Sequence, residues 1–230
     1  MILSHKYKFI FIKTLKTAGT SIETYLSQVC GEDDIVTPIY PHVEPHSARN
    51  FAGHFNPLPE IVSNRRNWSN LRQTFGDLCE KKKFYNHIPA RLIRSRVPAR
   101  IWNTYFKFCI ERNPWDKTVS HYYMQKYRSN GSLTLEQYFE QKCFCLNYPI
   151  YANHRDDLLV DRVLKFEDLN SSLNSVFSDL NVPFAGTLQI KAKSEYRDQS
   201  VPYAKILSDE QRDIIGDVFA KEIEMHGYGF

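Results

Sequence analysis

No stretch of this sequence is apolar for long enough to cross a bilayer, which takes about 20 residues as a helix. The N-terminal MILSHKYKFIFIK is broken repeatedly by charge, so it reads as neither secretory signal nor anchor, and the expected location is the cytoplasm. Cysteine is sparse: residues 30, 79, 109, 143 and 145 are an odd set with no framework spacing. That excludes a disulfide-stapled scaffold and predicts reduced, structural thiols. No acids are paired at metal-ligand spacing and the eight histidines are scattered, so no metal site is expected. Repeats, low-complexity tracts and a clear linker are lacking too. The pattern GxxxxGK[ST] occurs nowhere, which argues against a P-loop kinase.

What is present is globular in composition, 42% hydrophobic and 24% charged over 230 residues. That length suits one substantial core, and residues 1–230 are expected to form one domain. The net charge of +4 conceals a basic segment. Residues 65 to 100 hold ten Lys or Arg against Asp77 and Glu80 alone. Such a segment suits an acidic partner, or it is a solvated helical face. No nucleic-acid motif accompanies it, so no nucleic-acid partner is expected.

The periodicity predicts an α/β chain with a mainly parallel sheet. Phe9 to Ile12, Tyr105 to Glu111 and Arg162 to Lys165 read as strands. Helices are expected near 68–82, 88–102, 114–128, 134–142, 167–180 and 208–225, besides one starting near Gly19. Residues 31–64, rich in Pro, His, Asn and Gly, read as a long loop of the kind that is usually functional.

Two strand-to-helix junctions carry the functional signal. In FIFIKTLKTAGTSIETYL (9–26), a buried strand runs into Lys13, Lys16 and the small residues Thr17, Ala18, Gly19, Thr20 and Ser21. Small side chains there leave the first-turn N–H groups and the positive end of the helix dipole available to an anion, usually a phosphate. An ordinary turn with a solvated lysine is the competing reading. In YFKFCIERNPWDKTVSHYY (105–123), a second strand ends at Arg112. Asn113 is placed to cap the next helix and Pro114 to start it. Ser120 shares a helix face with Asp116, so Arg112 and Ser120 can reach one anion. Their plain alternatives are a strand-end ion pair and an idle hydroxyl. In a parallel sheet both junctions open on one edge, which suggests a ligand with two phosphates.

With these residues the chain resembles the sulfotransferases that use 3′-phosphoadenosine 5′-phosphosulfate (PAPS). KTLKTAGTS is similar to their 5′-phosphosulfate loop, and RNPWDKTVSHYY to their 3′-phosphate motif. NHIPARLIRSRVPARIWNTYFKFCIERNPWDK, VDRVLKFEDL and EIEMHGYGF resemble the branch related to carbohydrate (heparan/chondroitin-type) sulfotransferases. The resemblance covers most of the chain outside residues 31–64. It implies a P-loop-like three-layer fold with helices on both faces of the sheet, and residues 31–64 as an acceptor-side insertion.

It also implies roles. Lys16 would contact the sulfuryl group and the bridging oxygen, and Thr17, Ala18, Gly19, Thr20 and Ser21 would cradle the 5′-phosphate. Arg112 and Ser120 would bind the 3′-phosphate. Lys193, Tyr196 and Arg197, in AKSEYRDQSVPY, would complete the cofactor site. His87 in YNHIPAR stands where that branch often places its base, with His46 and His54, then Glu44 and Glu60, as alternatives. His121, beside Ser120, is expected to point elsewhere. PAPS would be consumed and adenosine 3′,5′-bisphosphate (PAP) released, with a carbohydrate or other hydroxyl compound, anionic ones included, as acceptor. Two departures matter: Leu15 replaces the customary proline before Lys16, and Glu111 precedes Arg112, where it is placed to pair with that arginine. A non-catalytic module binding acidic glycans and a nucleotide phosphotransferase stay open as alternatives.

Overall fold

The computed structural model describes residues 1–65, 67–188 and 201–230. Among them five strands form one sheet: β1 (Ile2–Ser4), β2 (Phe9–Phe11), β3 (Ile35–Val36), β4 (Phe106–Glu111) and β5 (Arg162–Lys165). Their order is β3-β1-β2-β4-β5. β2, β4 and β5 run parallel, with Phe11 opposite Phe108 and Glu111 opposite Lys165. β1 lies antiparallel to β2 and to β3, so four of the five strands share one direction.

Side-chain alternation explains why helices cover both faces. Ile2, Phe9, Phe11, Phe108 and Ile110 point to one side, where they meet Ile22 and Leu26 of α1 (Gly19–Val29). Leu3, Ile10, Ile12 and Cys109 belong to the cluster on the other side. Each large apolar side chain buried this way contributes about 1.5–3 kcal/mol before conformational entropy is counted. The chain continues through α2 (Leu58–Asn64), α3 (Trp68–Cys79), α4 (Ala90–Arg96), α5 (Ala99–Thr104) and α6 (Pro114–Arg128). Then come α7 (Leu135–Glu140), α8 (Tyr148–Tyr151), α9 (Leu169–Asp179), α10 (Asp209–Val218) and α11 (Ala220–His226). α9 packs Leu173, Val176 and Phe177 beside α1, while α4, α5 and α8 cover the opposite face. A third cluster gathers α6, α7 and α10 around Trp115, Val119, Tyr138, Ile215 and Phe219.

The α/β class and the helix–sheet–helix layering agree with the sequence reading, and several boundaries do not. The helix expected over 88–102 is two, because Pro98 has no N–H to continue α4 and holds Val97 extended at φ −109°, ψ 154°. The helix expected over 208–225 divides at Phe219, whose ring is buried in the third cluster. β1 and β3 were not expected at all, nor was α2 inside the long loop. All five cysteines are unpaired, and burial pushes the Cys145 thiol up to about 12. No helix among the described residues is long and apolar enough to cross a membrane.

Candidate functional site

Because β2 and β4 are parallel neighbours, the turns that follow them lie side by side on one sheet edge. The first turn is anchored to the second strand, since the Ile12 amide donates to the Phe108 carbonyl at 2.9 Å. Thr14 is held there too: its hydroxyl donates to the Ile110 carbonyl. Thr17 Oγ1, 2.8 Å from Thr14 Oγ1, must then donate toward Thr14, so the Thr17 hydroxyl proton is committed within the turn.

Lys16 and Ala18 adopt left-handed backbone angles, φ 61° and 57°. Each such residue costs about 1–3 kcal/mol, and left-handed residues in a turn can bring successive N–H groups together as an anion-accepting nest. α1 begins at once behind it. Its N-cap is Ala18, which has no side chain able to cap, and no acid stands in its first turn. Gly19 is demanded by packing: a Cβ there would lie 2.6 Å from Cγ of Lys13. Lys13 itself is corrected by the structure. It is buried and paired at 2.6 Å with Glu23, which the N-terminal ammonium also contacts, so Lys13 is held under the turn rather than offered to a ligand.

The second junction holds Arg112. Its Nε and Nη2 donate to Asp116 Oδ2 at 2.8 and 2.6 Å, and its Nη1 donates to the Lys16 carbonyl at 3.2 Å. The guanidinium also lies 4.2 Å over the Phe166 ring. Among the described residues these bonds engage three of its five N–H donors. Asn113 caps α6 as expected, accepting from the amides of Trp115 and Asp116. Ser120 follows Asp116 by one helical turn, and it is half-buried on α6.

The expected Glu111–Arg112 side-chain pair does not form. Consecutive strand residues face opposite ways, so Glu111 points into the core and accepts from Lys117 Nζ at 2.7 Å. It also accepts from the Arg112 amide at 2.9 Å, Asn147 Nδ2 at 3.1 Å and the Tyr151 hydroxyl at 3.2 Å. Asn147 was missed by sequence reasoning. Its Oδ1 accepts from the Leu15 amide at 2.8 Å and its Nδ2 donates to the Leu15 carbonyl at 3.0 Å. Proline has no N–H, so the departure at residue 15 supplies a hydrogen bond that the customary residue lacks.

His87 is brought to the same turn. Its Nδ1 lies 3.2 Å from the Lys13 carbonyl, which only accepts, so Nδ1 carries the proton and Nε2 keeps the lone pair. Burial, with the Lys13 charge behind it, pushes the imidazole down to about 4, so it is neutral near pH 7. His46 is buried with neither ring nitrogen partnered among the described residues. Burial lowers it as well, and the start of the long loop reaches Glu23 through the Thr37 hydroxyl at 3.4 Å. His54 is exposed. Glu44 is exposed and lies 3.4 Å from His42. Glu60 is corrected from a candidate base to a structural acid, because Arg96, Ser95 and Thr74 all donate to it. His121 turns to the Tyr138 hydroxyl at 2.8 Å, yet burial and the charge of Lys16 push it down to about 4. Lys193, Tyr196 and Arg197 lie outside the described residues. Among the described residues no three His, Cys, Asp or Glu converge as metal ligands.

No family model matches the sequence. An uncharacterized protein of Archaeoglobus fulgidus is 31% identical over 101 residues, which cover 42% of this chain and 84% of that protein. The chain belongs to the same family as that archaeal protein, whose name assigns no activity. A crystal structure of a sulfotransferase from Alicyclobacillus acidocaldarius aligns with 96% of each chain at 16% identity, with a TM-score of 0.39. Similarity at that level is no basis for assigning an activity.

Proposed function

We propose that this protein is a PAPS-dependent sulfotransferase acting on a hydroxyl of a carbohydrate, with residues 31–64 on the acceptor side. One observation carries the reading: the 3.2 Å hydrogen bond from Arg112 to the Lys16 carbonyl, which ties the two anion-binding junctions into one site. A nucleoside with phosphates on both its 3′ and 5′ oxygens is the chemistry that needs two such junctions at a fixed separation. The left-handed pair at Lys16 and Ala18, the α1 terminus without a side-chain cap, and the Arg112 guanidinium suit it. PAPS, when bound, supplies an activated sulfuryl group on a phosphate leaving group.

The protein's own groups would then act as follows. Amides of the turn and of the first helical turn would hold the 5′-phosphate. Arg112 and Ser120 would hold the 3′-phosphate. Lys16 would stabilise negative charge as it grows on the bridging oxygen, where a preorganised cation acts most strongly. His87 Nε2 would take the acceptor's hydroxyl proton while the acceptor oxygen bonds to sulfur and the bond from sulfur to the bridging oxygen breaks. A positioned base is typically worth about 10²- to 10⁴-fold when its pKa lies near the working pH, and a bound anion would raise that of His87 from about 4 toward it. The long loop forms an open hollow of about 470 Å³ lined by Ile39, Tyr40, His42 and His46 among others, which we assign to the acceptor side.

The test is transfer of label from PAPS carrying labelled sulfur to a panel of neutral and uronic-acid polysaccharides. Label on polysaccharide, absent with Lys16→Ala and strongly reduced with His87→Ala, is the expected result. Polysaccharide binding with PAPS left intact would instead identify a non-catalytic glycan-binding module.

A further inference from the structure

Four of the twelve exposed large apolar side chains among the described residues lie on two neighbouring helices. Leu58 and Val62 on α2 are 62% and 69% exposed, and Trp68 and Phe75 on α3 are 85% and 51% exposed. The inward sides of these two helices carry a hydrogen-bonded polar network. Glu60 of α2 accepts from Thr74 of α3 at 2.9 Å, and both Glu60 and Asp77 accept from the buried Arg96. At about 100° per residue, Leu58 and Val62 lie roughly 200° from Glu60, and Trp68 and Phe75 roughly 160–180° from Asp77. Both helices therefore turn their apolar sides away from the body of the protein.

The surroundings are basic. Arg65, Arg72, Lys81 and Lys82 are exposed, against the single exposed acid Glu80 among the described residues from 65 to 82, since Asp77 is buried on Arg96. We propose that the α2–α3 pair docks the protein onto an anionic lipid surface. The four apolar side chains enter the boundary between headgroups and acyl chains, and the basic residues meet lipid phosphates. A tryptophan at this depth is the usual interfacial anchor. Charge selects this occupant: a second copy of the chain would bring like-charged rims together, whereas an anionic surface complements them. Leucine and valine also offer nothing to a soluble glycan, which needs stacking faces and hydrogen bonds. The inference is independent of the reaction at the β2–α1 turn.

Trp102 and Trp115 are 7% and 6% exposed, so of the three tryptophans Trp68 alone reports on this surface. The experiment follows tryptophan emission and co-sedimentation with vesicles of phosphatidylcholine alone or mixed equally with phosphatidylglycerol, and with heparin as a soluble polyanion. The expected result is a blue shift and co-sedimentation with the mixed vesicles only, weakened by salt. Phe75→Ser weakens that binding about tenfold, from the loss of one large apolar contact. Trp68→Phe retains most of the binding and loses the spectral shift. The proposal is overturned by no binding to the mixed vesicles, or by binding that leaves the emission of Trp68 unchanged. An equal shift with heparin, or a blue shift that grows with protein concentration without lipid, overturns it as well.

Discussion

Replacing Asn147 with alanine removes three hydrogen bonds at once. Two hold the backbone of Leu15, at 2.8 and 3.0 Å, and the third reaches Glu111 at 3.1 Å. The Leu15 groups are half-buried, so losing their partner costs about 1 kcal/mol each. Glu111 is fully buried and keeps Lys117, Tyr151 and the Arg112 amide, so its loss is a single charge-assisted bond of about 1.5–3 kcal/mol. Some water entering the gap beside Leu15 reduces the sum, and the expected destabilisation is about 2–4 kcal/mol. For a chain of this size that lowers the melting temperature by roughly 5–15 °C. Leu15→Pro, although it restores the residue customary in the sulfotransferases the chain resembles, deprives Asn147 Oδ1 of its donor and costs about 1–3 kcal/mol. Urea denaturation measures both, and calorimetric titration with PAP shows whether affinity falls in parallel. A loss below about 0.5 kcal/mol with unchanged affinity for Asn147→Ala would refute the claim that this amide sets the turn.

Three further outcomes follow from the geometry. Folded His87 titrates near 4 against an ordinary 6.5, chiefly through burial, so the native state excludes a proton that the unfolded chain accepts. Stability is therefore lost as pH falls from about 6.5 toward 4; a pH series of denaturation curves for His87→Gln should be flatter, with His121 keeping part of the slope, and a pH-independent wild type would contradict this. Arg96→Ala leaves Glu60 and Asp77 buried without their guanidinium and should cost about 3–5 kcal/mol by denaturant midpoint; a loss under about 1 kcal/mol would contradict the burial of that network. Gly19→Ala places a methyl group 2.6 Å from Lys13 Cγ, displacing Lys13 from Glu23. It should cost about 1–3 kcal/mol and weaken bisphosphate binding, and a variant melting with the wild type would show that the turn yields freely.

What the sequence revealed follows the range over which each interaction acts. β2, β4 and β5 were legible because short aromatic and β-branched runs mark buried strands locally, and α1 and α6 because their periodicity and starting residues do. β1 and β3, at three and two residues, carry too little pattern to be seen without the sheet that pairs them. The break between α4 and α5 was signalled by Pro98 itself, but the apolar residues on either side kept helical spacing through it. Both strand-to-helix junctions were visible as motifs, whereas the partners of their charged side chains were not. Lys13 is held by Glu23 from within α1, and Arg112 takes Asp116 across the helix start because Glu111 faces the core. Asn147 stands 132 residues from Leu15 in a segment with no motif, so only the folded chain shows that it holds the turn.

The claim that the β2–α1 and β4–α6 turns form one bisphosphate site is tested most directly by thermal melting with PAP, ATP and AMP at equal concentration. A ligand at 100 times its dissociation constant stabilises the state it binds by about 2.7 kcal/mol, a rise of roughly 5–10 °C here. The account predicts that rise with PAP, much less with ATP or AMP, and its loss in Arg112→Ala. No shift with PAP, or a larger one with ATP, would contradict it.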